Sequence, residues 1–206
     1  MSAAGKVFLV DDEPELRQAL ARLLKTEGLD VEAFGSALEF LAHVTGDTVG
    51  CLVLDLSMPG LDGLELQERL ATTGAKLGIV FLTGRGDIPA SVRAIRAGAL
   101  DFLTKPVRRD DLLRAVRTAL DYAGAQAATA AACAELRARY AQLTPREREV
   151  FAHVIAGRLN KVIAADLGTS EQTIKVHRAR VMEKLAVDSV AGLVRAAQQL
   201  GVTPAL

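Results

Sequence analysis

Five short apolar runs recur through the first 120 residues, and segments with helical spacing separate them. The runs are KVFLV (6–10), DVEAF (30–34), CLVLDL (51–56), GIVFLT (78–83) and LDFLT (100–104). Leu16, Leu20, Leu23 and Leu24 in one interval, and Leu64, Leu66 and Leu70 in another, repeat at the pitch of a helix with one buried face. Strand, helix, strand at this cadence predicts a parallel sheet wound on both faces. The first, third and fourth runs are nearly all apolar, as strands covered on both sides must be. Ligands of such sheets lie beyond the carboxyl ends of the strands, which makes the residues there the candidates for function.

Those ends carry Asp11 and Asp12 after the first run, Asp55 in the third, Thr83 closing the fourth, and Lys105-Pro106 after the fifth. Three carboxylates at one sheet edge repel one another, and keeping all of them ionised requires a cation. Hard oxygen donors with room for water suit Mg²⁺ better than zinc or copper. A carboxylate-held metal beside an ammonium and a hydroxyl has the parts for phosphoryl transfer, with a carboxylate as the in-line nucleophile. Each acid taken alone also reads as a helix cap, Asp12 before Glu13-Pro14 being the clearest case. The placement of all five residues at the correct ends of four strands favours a site.

The segments FLVDDEP, CLVLDLSMPGLDGLEL, VFLTGRGD and GALDFLTKP resemble the receiver domain of bacterial two-component response regulators, over residues 5–120. The resemblance implies a flavodoxin-like (βα)5 fold with strand order 2-1-3-4-5. It implies that Asp55 accepts a phosphoryl group from a sensor histidine kinase. Asp12, Asp55 and the Ser57 carbonyl would bind Mg²⁺ directly, and Asp11 mainly through water. Thr83 and Lys105 would each bind a phosphoryl oxygen, and Phe102 would be the switch aromatic. Ser57 and Arg85 would tune the lifetime of the acyl phosphate, and Pro106 would follow a cis peptide. Phosphorylation puts about −1.5 to −2 charges where a carboxylate carried −1, so Thr83 and Lys105 should move towards it. The surface expected to respond, and to dimerise, comprises the fourth helix (about 87–97), the fifth strand and the fifth helix.

Residues 108–142 contain one glycine, Gly124, and no proline, and are rich in Ala, Arg, Leu and Glu. They read as the fifth helix running on, either unbroken for about 50 Å or interrupted near Gly124. Leu112, Leu113, Val116 and Leu120 mark its sheet-facing stripe. Beyond residue 122 the apolar residues are mostly Ala, compatible with a solvated spacer or a weak contact between two copies.

From residue 143 onward every signal is helical. Thr144, Pro145 and Glu147 form a capping box, and Gly157, Gly168 and Asp188 separate four helices. NKVIAADLG followed by TSEQTIKVHRARVMEKL reads as a helix-turn-helix, with Ile174, Val181, Met182 and Leu185 facing inward. A capped basic helix fits a major groove, although a small bundle with a solvated basic face would show the same charges. The pattern LTPREREV, NKVIAADLG, SEQTIKVHR, VMEKL resembles the four-helix output domain of NarL/FixJ-type (LuxR-like) transcription regulators over residues 143–198. By that resemblance Lys175, Val176 and Ala179 approach bases, while Asn160, Lys161, Thr173, His177, Arg178 and Arg180 contact phosphates or flanks. Ala at 179 can touch a thymine methyl but cannot read guanine.

The net charge of zero divides unevenly, with 14 basic against 17 acidic residues in 1–120 and 11 against 8 in 121–206. A mildly acidic front and a mildly basic back suggest different partners for the two parts. No apolar run approaches the 18 residues of a membrane span, the amino terminus lacks a signal-peptide pattern, and Cys51 and Cys133 suit reduced thiols in a cytoplasmic protein. The chain therefore reads as a receiver domain (1–121), a helical linker (122–142) and a helix-turn-helix domain (143–206). The expected function is a transcriptional response regulator with Mg²⁺ as cofactor, not an enzyme beyond self-catalysed phosphotransfer and autodephosphorylation. Its expected partners are a sensor histidine kinase, double-stranded promoter DNA, RNA polymerase and, on phosphorylation, a second copy of itself; activation is the expected output. A phosphatase acting on a small molecule would need a second acid where Ser57 stands. A phosphorylation-independent interaction module would not need the Asp, Thr and Lys set.

Overall fold

A computed structural model describes residues 5–84 and 88–205, without the side chains of 88–90. The chain divides into two compact units, the first ending at Ala128 and the second beginning at Thr129.

The first unit is a five-stranded parallel sheet in the order β2-β1-β3-β4-β5. The strands are β1 (Lys6–Val10), β2 (Asp30–Phe34), β3 (Val49–Asp55), β4 (Lys76–Thr83) and β5 (Asp101–Thr104). Helices α1 (Pro14–Thr26), α2 (Ala37–His43), α3 (Gly63–Leu70), α4 (Ile88–Arg96) and α5 (Arg109–Ala141) connect or follow them. Alternation along the central strands sends Phe8, Val10, Leu52, Leu54 and Phe81 to one face, where Phe40, Leu66, Leu70 and Ala94 cover them. Val7, Leu9, Cys51, Val53, Val80 and Leu82 point to the other, against Leu20, Leu24, Leu112, Val116 and Ala119. Each such aliphatic side chain is worth about 1.5–3 kcal/mol when fully buried. Two cores of this kind hold the strand ends rigidly enough to carry a site.

Helix α5 runs from Arg109 to Ala141 and passes through Gly124 without a break, which resolves the alternative of an interrupted connector. The sheet-facing stripe of the sequence reading gains Ala115, Ala119 and Ala123, all buried. The α5 backbone comes so close to β4 at this stripe that a Cβ on Gly78 would stand 2.4 Å from the Ala119 carbonyl oxygen.

The second unit packs the end of α5 with α6 (Pro145–Ile155), α7 (Asn160–Asp166), α8 (Glu171–Leu185) and α9 (Val190–Leu200). Its core is Leu143, Val150, Phe151, Ile163, Ile174, Val181, Leu185 and Leu193, with Leu136, Tyr140 and Met182 against it. The capping box at Thr144 and Glu147 forms as the sequence predicts. Gly157 and Gly168 adopt positive φ at the turns. Asp188 lies in the break between α8 and α9, where Ala186 ends α8 in the left-handed region (φ 51°) and Ser189 caps α9. The described residues contain no helix long and apolar enough to cross a membrane.

Candidate functional site

The carboxyl ends of β1 and β3 place three carboxylates together. One oxygen from each of Asp11, Asp12 and Asp55 lies within 4.8 Å of the others. Asp11 is fully buried, Asp55 nearly so and Asp12 partly. The helix-cap reading of Asp12 fails, because α1 has no side-chain cap; instead Asp11 Oδ1 accepts a hydrogen bond from the Glu13 N–H at 2.8 Å. Asp11 Oδ2 is buried without a hydrogen-bond partner. Three carboxylates this close, one of them with an interior oxygen that no donor hydrogen-bonds, carry more negative charge than a single cation offsets. Three hard oxygen donors so placed fit Mg²⁺.

The loop after β5 brings Lys105 to this edge, through a cis Lys105–Pro106 peptide bond and a hydrogen bond from the Lys105 N–H to the Thr83 carbonyl at 2.6 Å. Its ammonium stands 3.2 Å from Asp55 Oδ2, 3.1 Å from Asp11 Oδ2 and 2.9 Å from Glu13 Oε1. Burial raises the Asp55 carboxyl above its ordinary value; Lys105 opposes this, and the like charge of Asp11 adds to it. A hydrogen bond from the Ser57 N–H also favours the ionised form. Lys105 is held more firmly protonated than a free lysine: burial works against its charge, but Glu13, Asp11 and Asp55 together outweigh it.

Thr83 is buried, and its hydroxyl donates to the Gly84 carbonyl at 3.0 Å. Phe102, half-buried on the edge strand, packs its ring 5.8 Å from that of Phe81. The side chain of Ser57 is exposed. Arg85 lies outside the described residues. Glu13 is the participant that sequence reasoning passed over. The signal was present in the run Asp11-Asp12-Glu13, but the neighbouring Pro14 made Glu13 look like helix-start chemistry alone.

In the second unit, α7 and α8 meet across a turn at Gly168. Ser170 caps α8 by accepting from the Thr173 N–H at 3.1 Å, and the two hydroxyls lie 2.9 Å apart. Lys175, Val176, Ala179 and Arg180 are exposed, with Lys175 3.6 Å from Glu171 on its own helix. Arg178 donates to Asn160 Oδ1 at 2.7 Å, which ties the middle of α8 to the first residue of α7. Lys161 is exposed beside them, and the partly buried His177 has an Nδ1 without a partner. A helix-turn-helix of this form presents one helix with an open polar face and a positive amino terminus, the arrangement that enters a major groove.

Residues 7–117 match the response regulator receiver domain family, and residues 141–197 match the bacterial regulatory proteins of the luxR family. The chain belongs to the two-component response regulators with a LuxR-type DNA-binding domain. This response regulator is 46% identical to the response regulator protein TmoT of Ectopseudomonas mendocina, over 94% of this chain and 88% of that one. It is 40% identical to the transcriptional regulatory protein FixJ of Bradyrhizobium diazoefficiens, over 98% of each. Among solved structures, the response regulator StyR matches 96% of this chain and 100% of its own, with 42% identity and a TM-score of 0.84.

Proposed function

We propose that this response regulator accepts a phosphoryl group on Asp55 from a sensor histidine kinase and, so modified, binds promoter DNA as a dimer. The observation that carries the reading is the meeting of Asp11, Asp12 and Asp55 within 4.8 Å, with Lys105 3.2 Å from Asp55. An Asp55 oxygen attacks the phosphorus of the kinase phosphohistidine, the phosphorus–nitrogen bond breaks, and the departing histidine takes up a proton. Asp11, Asp12, Asp55 and the Ser57 carbonyl would hold Mg²⁺, which supplies positive charge for the phosphoryl oxygens. Lys105 donates to one phosphoryl oxygen and Thr83, turning from the Gly84 carbonyl, donates to another. Phe102 then moves into the space Thr83 leaves. The change alters the face built from α4, β5 and α5, and a second copy pairs there.

On DNA, Lys175, Val176 and Ala179 face bases, while Asn160, Lys161, Thr173, His177, Arg178 and Arg180 serve the backbone and flanks. One such module buries too little surface for tight specific binding, so phosphorylation and operator binding are linked through the dimer. The functional division is a receiver (1–121), a helical linker (122–142) and an output domain (143–206), acting in the cytoplasm to recruit RNA polymerase and activate transcription. No other catalytic role is assigned to it.

Intact-protein mass after incubation with Mg²⁺ and a small acyl phosphate tests this. The wild type should gain one phosphoryl group and Asp55→Asn none. Uptake by Asp55→Asn would place the acceptor elsewhere. If the wild type takes up none, stable binding of beryllofluoride with Mg²⁺ separates rapid hydrolysis from a receiver without the chemistry.

A further inference from the structure

The three carboxylates around Lys105 do not hold it equally. Lys105 Nζ makes a hydrogen bond of proper alignment to Glu13 Oε1 at 2.9 Å. Its approaches to Asp11 and Asp55, at 3.1 and 3.2 Å, are ion pairs, and the Asp11 Oδ2 facing it still lacks a hydrogen bond. Glu13 is also the exposed member of the set, 62% open against 0% for Asp11 and 5% for Asp55. The best-aligned bond of the site's lysine therefore goes to a side chain at the rim, not to the acceptor.

The backbone of Glu13 is fixed from both sides. Its N–H donates to Asp11 Oδ1, and its carbonyl accepts from the Arg17 N–H at 3.0 Å as α1 begins. Arg17 itself donates to the Asp11 carbonyl at 2.5 Å. The side chain is thus delivered to Lys105 from a rigid helix start whose register is set by a buried aspartate. Its length matters: a carboxylate one methylene shorter at this helix N-cap turns back to bond the first-turn N–H groups, as Asp caps do.

We propose that Glu13 is a positioning residue, a latch that engages Lys105 in the unphosphorylated protein and competes with the phosphoryl oxygens for its ammonium. This rests on the reading of Asp55 as acceptor. The resting bond must weaken for Lys105 to commit to the new, more highly charged group, so Glu13 sets how readily the modified state forms. Breaking the latch should favour that state without touching the acceptor or any of the metal-binding carboxylates.

The test is calorimetric titration of the full chain with beryllofluoride in saturating Mg²⁺, for wild type, Glu13→Gln and Glu13→Asp, alongside Asp55→Asn. Saturating metal removes any change in Mg²⁺ affinity from the comparison. Beryllofluoride affinity should rise about threefold to tenfold in Glu13→Gln, whose neutral amide oxygen holds Lys105 only weakly, and Glu13→Asp should match it, since its shorter side chain turns back to the helix start. Unchanged or weaker binding by Glu13→Gln would overturn the latch. So would a Glu13→Asp variant that behaves as the wild type, because the negative charge at the rim, and not the bond, would then be responsible. Beryllofluoride binding that survives Asp55→Asn unchanged would instead strike at the acceptor assignment.

Discussion

Each unit buries a carboxylate beside a lysine, and the two arrangements behave in opposite ways. In the second unit Glu147 is 2% exposed, accepts from Lys184 at 2.6 Å and from the Thr144 N–H at 2.9 Å, and closes a capping box. Burial opposes its ionisation, but Lys184 and Thr144 outweigh that, and its carboxyl lies below the ordinary glutamate value. In the first unit three acids meet at one sheet edge, two of them share Lys105, Asp11 Oδ2 has that ion pair but no hydrogen bond, and the Asp55 carboxyl is pushed up. One acid matched by one lysine and a backbone donor on the same oxygen is a staple; several acids around one lysine leave negative charge that a further cation would balance. Balance of donors, more than burial, separates them.

The largest effect should come from the rigid backing of the receiver site. A Cβ on Gly63 would lie 2.5 Å from the Asp55 carbonyl oxygen and 2.9 Å from the Phe81 ring. Gly63→Ala should cost about 3 kcal/mol and displace the Asp55 loop, the upper range for overpacking against backbone. Hydrogen exchange should show the loss in the first unit with the second unchanged; equal protection in both would mean the loop yields freely.

Next in size, Glu147→Gln should destabilise the second unit by about 2 kcal/mol at neutral pH, the worth of a charged hydrogen bond lost from the interior. The sign follows from its lowered carboxyl: the contribution is present above the unfolded-state value and is lost as pH falls through the folded one. Wild type and variant should therefore converge in acid, and a gap that persists there would mean packing, not charge, is responsible. Asp55→Asn should do the reverse. Its raised carboxyl makes ionisation a cost to the fold that grows as pH climbs through the carboxylate range, so the variant should stabilise the first unit by about 1 kcal/mol at neutral pH, as relief of a strained functional site does. The gain should shrink on acidification, and a destabilised variant would mean that Lys105 depends on Asp55 more than on Asp11 and Glu13.

This asymmetry also explains what was legible in the sequence. Short apolar runs alternating with helical spacing made the first unit legible, since strands covered on both faces send Phe8, Leu52 and Phe81 to one side and Val7, Val53 and Val80 to the other; in the second unit the caps and turn glycines did so. The meeting of Asp11, Asp12, Asp55 and Lys105 was legible because strand ends are fixed points of a parallel sheet. Glu13 was not, since its role depends on a side chain reaching from a helix start to a loop 92 residues away. The left-handed cap of α8 at Ala186 was not legible either, because alanine carries no local sign of that conformation.

The smallest effect on stability should come from the link between α7 and α8, and it probes the part of the output domain where structure and function overlap most. Asn160 is the first residue of α7, and its Oδ1 accepts from Arg178 at 2.7 Å in a partly exposed setting. A bond of this kind stabilises by about 0.5–1.5 kcal/mol at most, and partial exposure lowers that further. Asn160→Ala should accordingly move the unfolding of the second unit by less than about 0.5 kcal/mol. On DNA the consequence is larger, because Arg178 loses the partner that aims its guanidinium. If both side chains serve the backbone, the variant should weaken specific and non-specific DNA alike by about 1 kcal/mol, with the salt dependence keeping its slope while Arg178 remains; Arg178→Ala should reduce that slope by about one. A loss confined to one operator sequence would instead assign the pair to base recognition, and would move Arg178 into the set with Lys175, Val176 and Ala179.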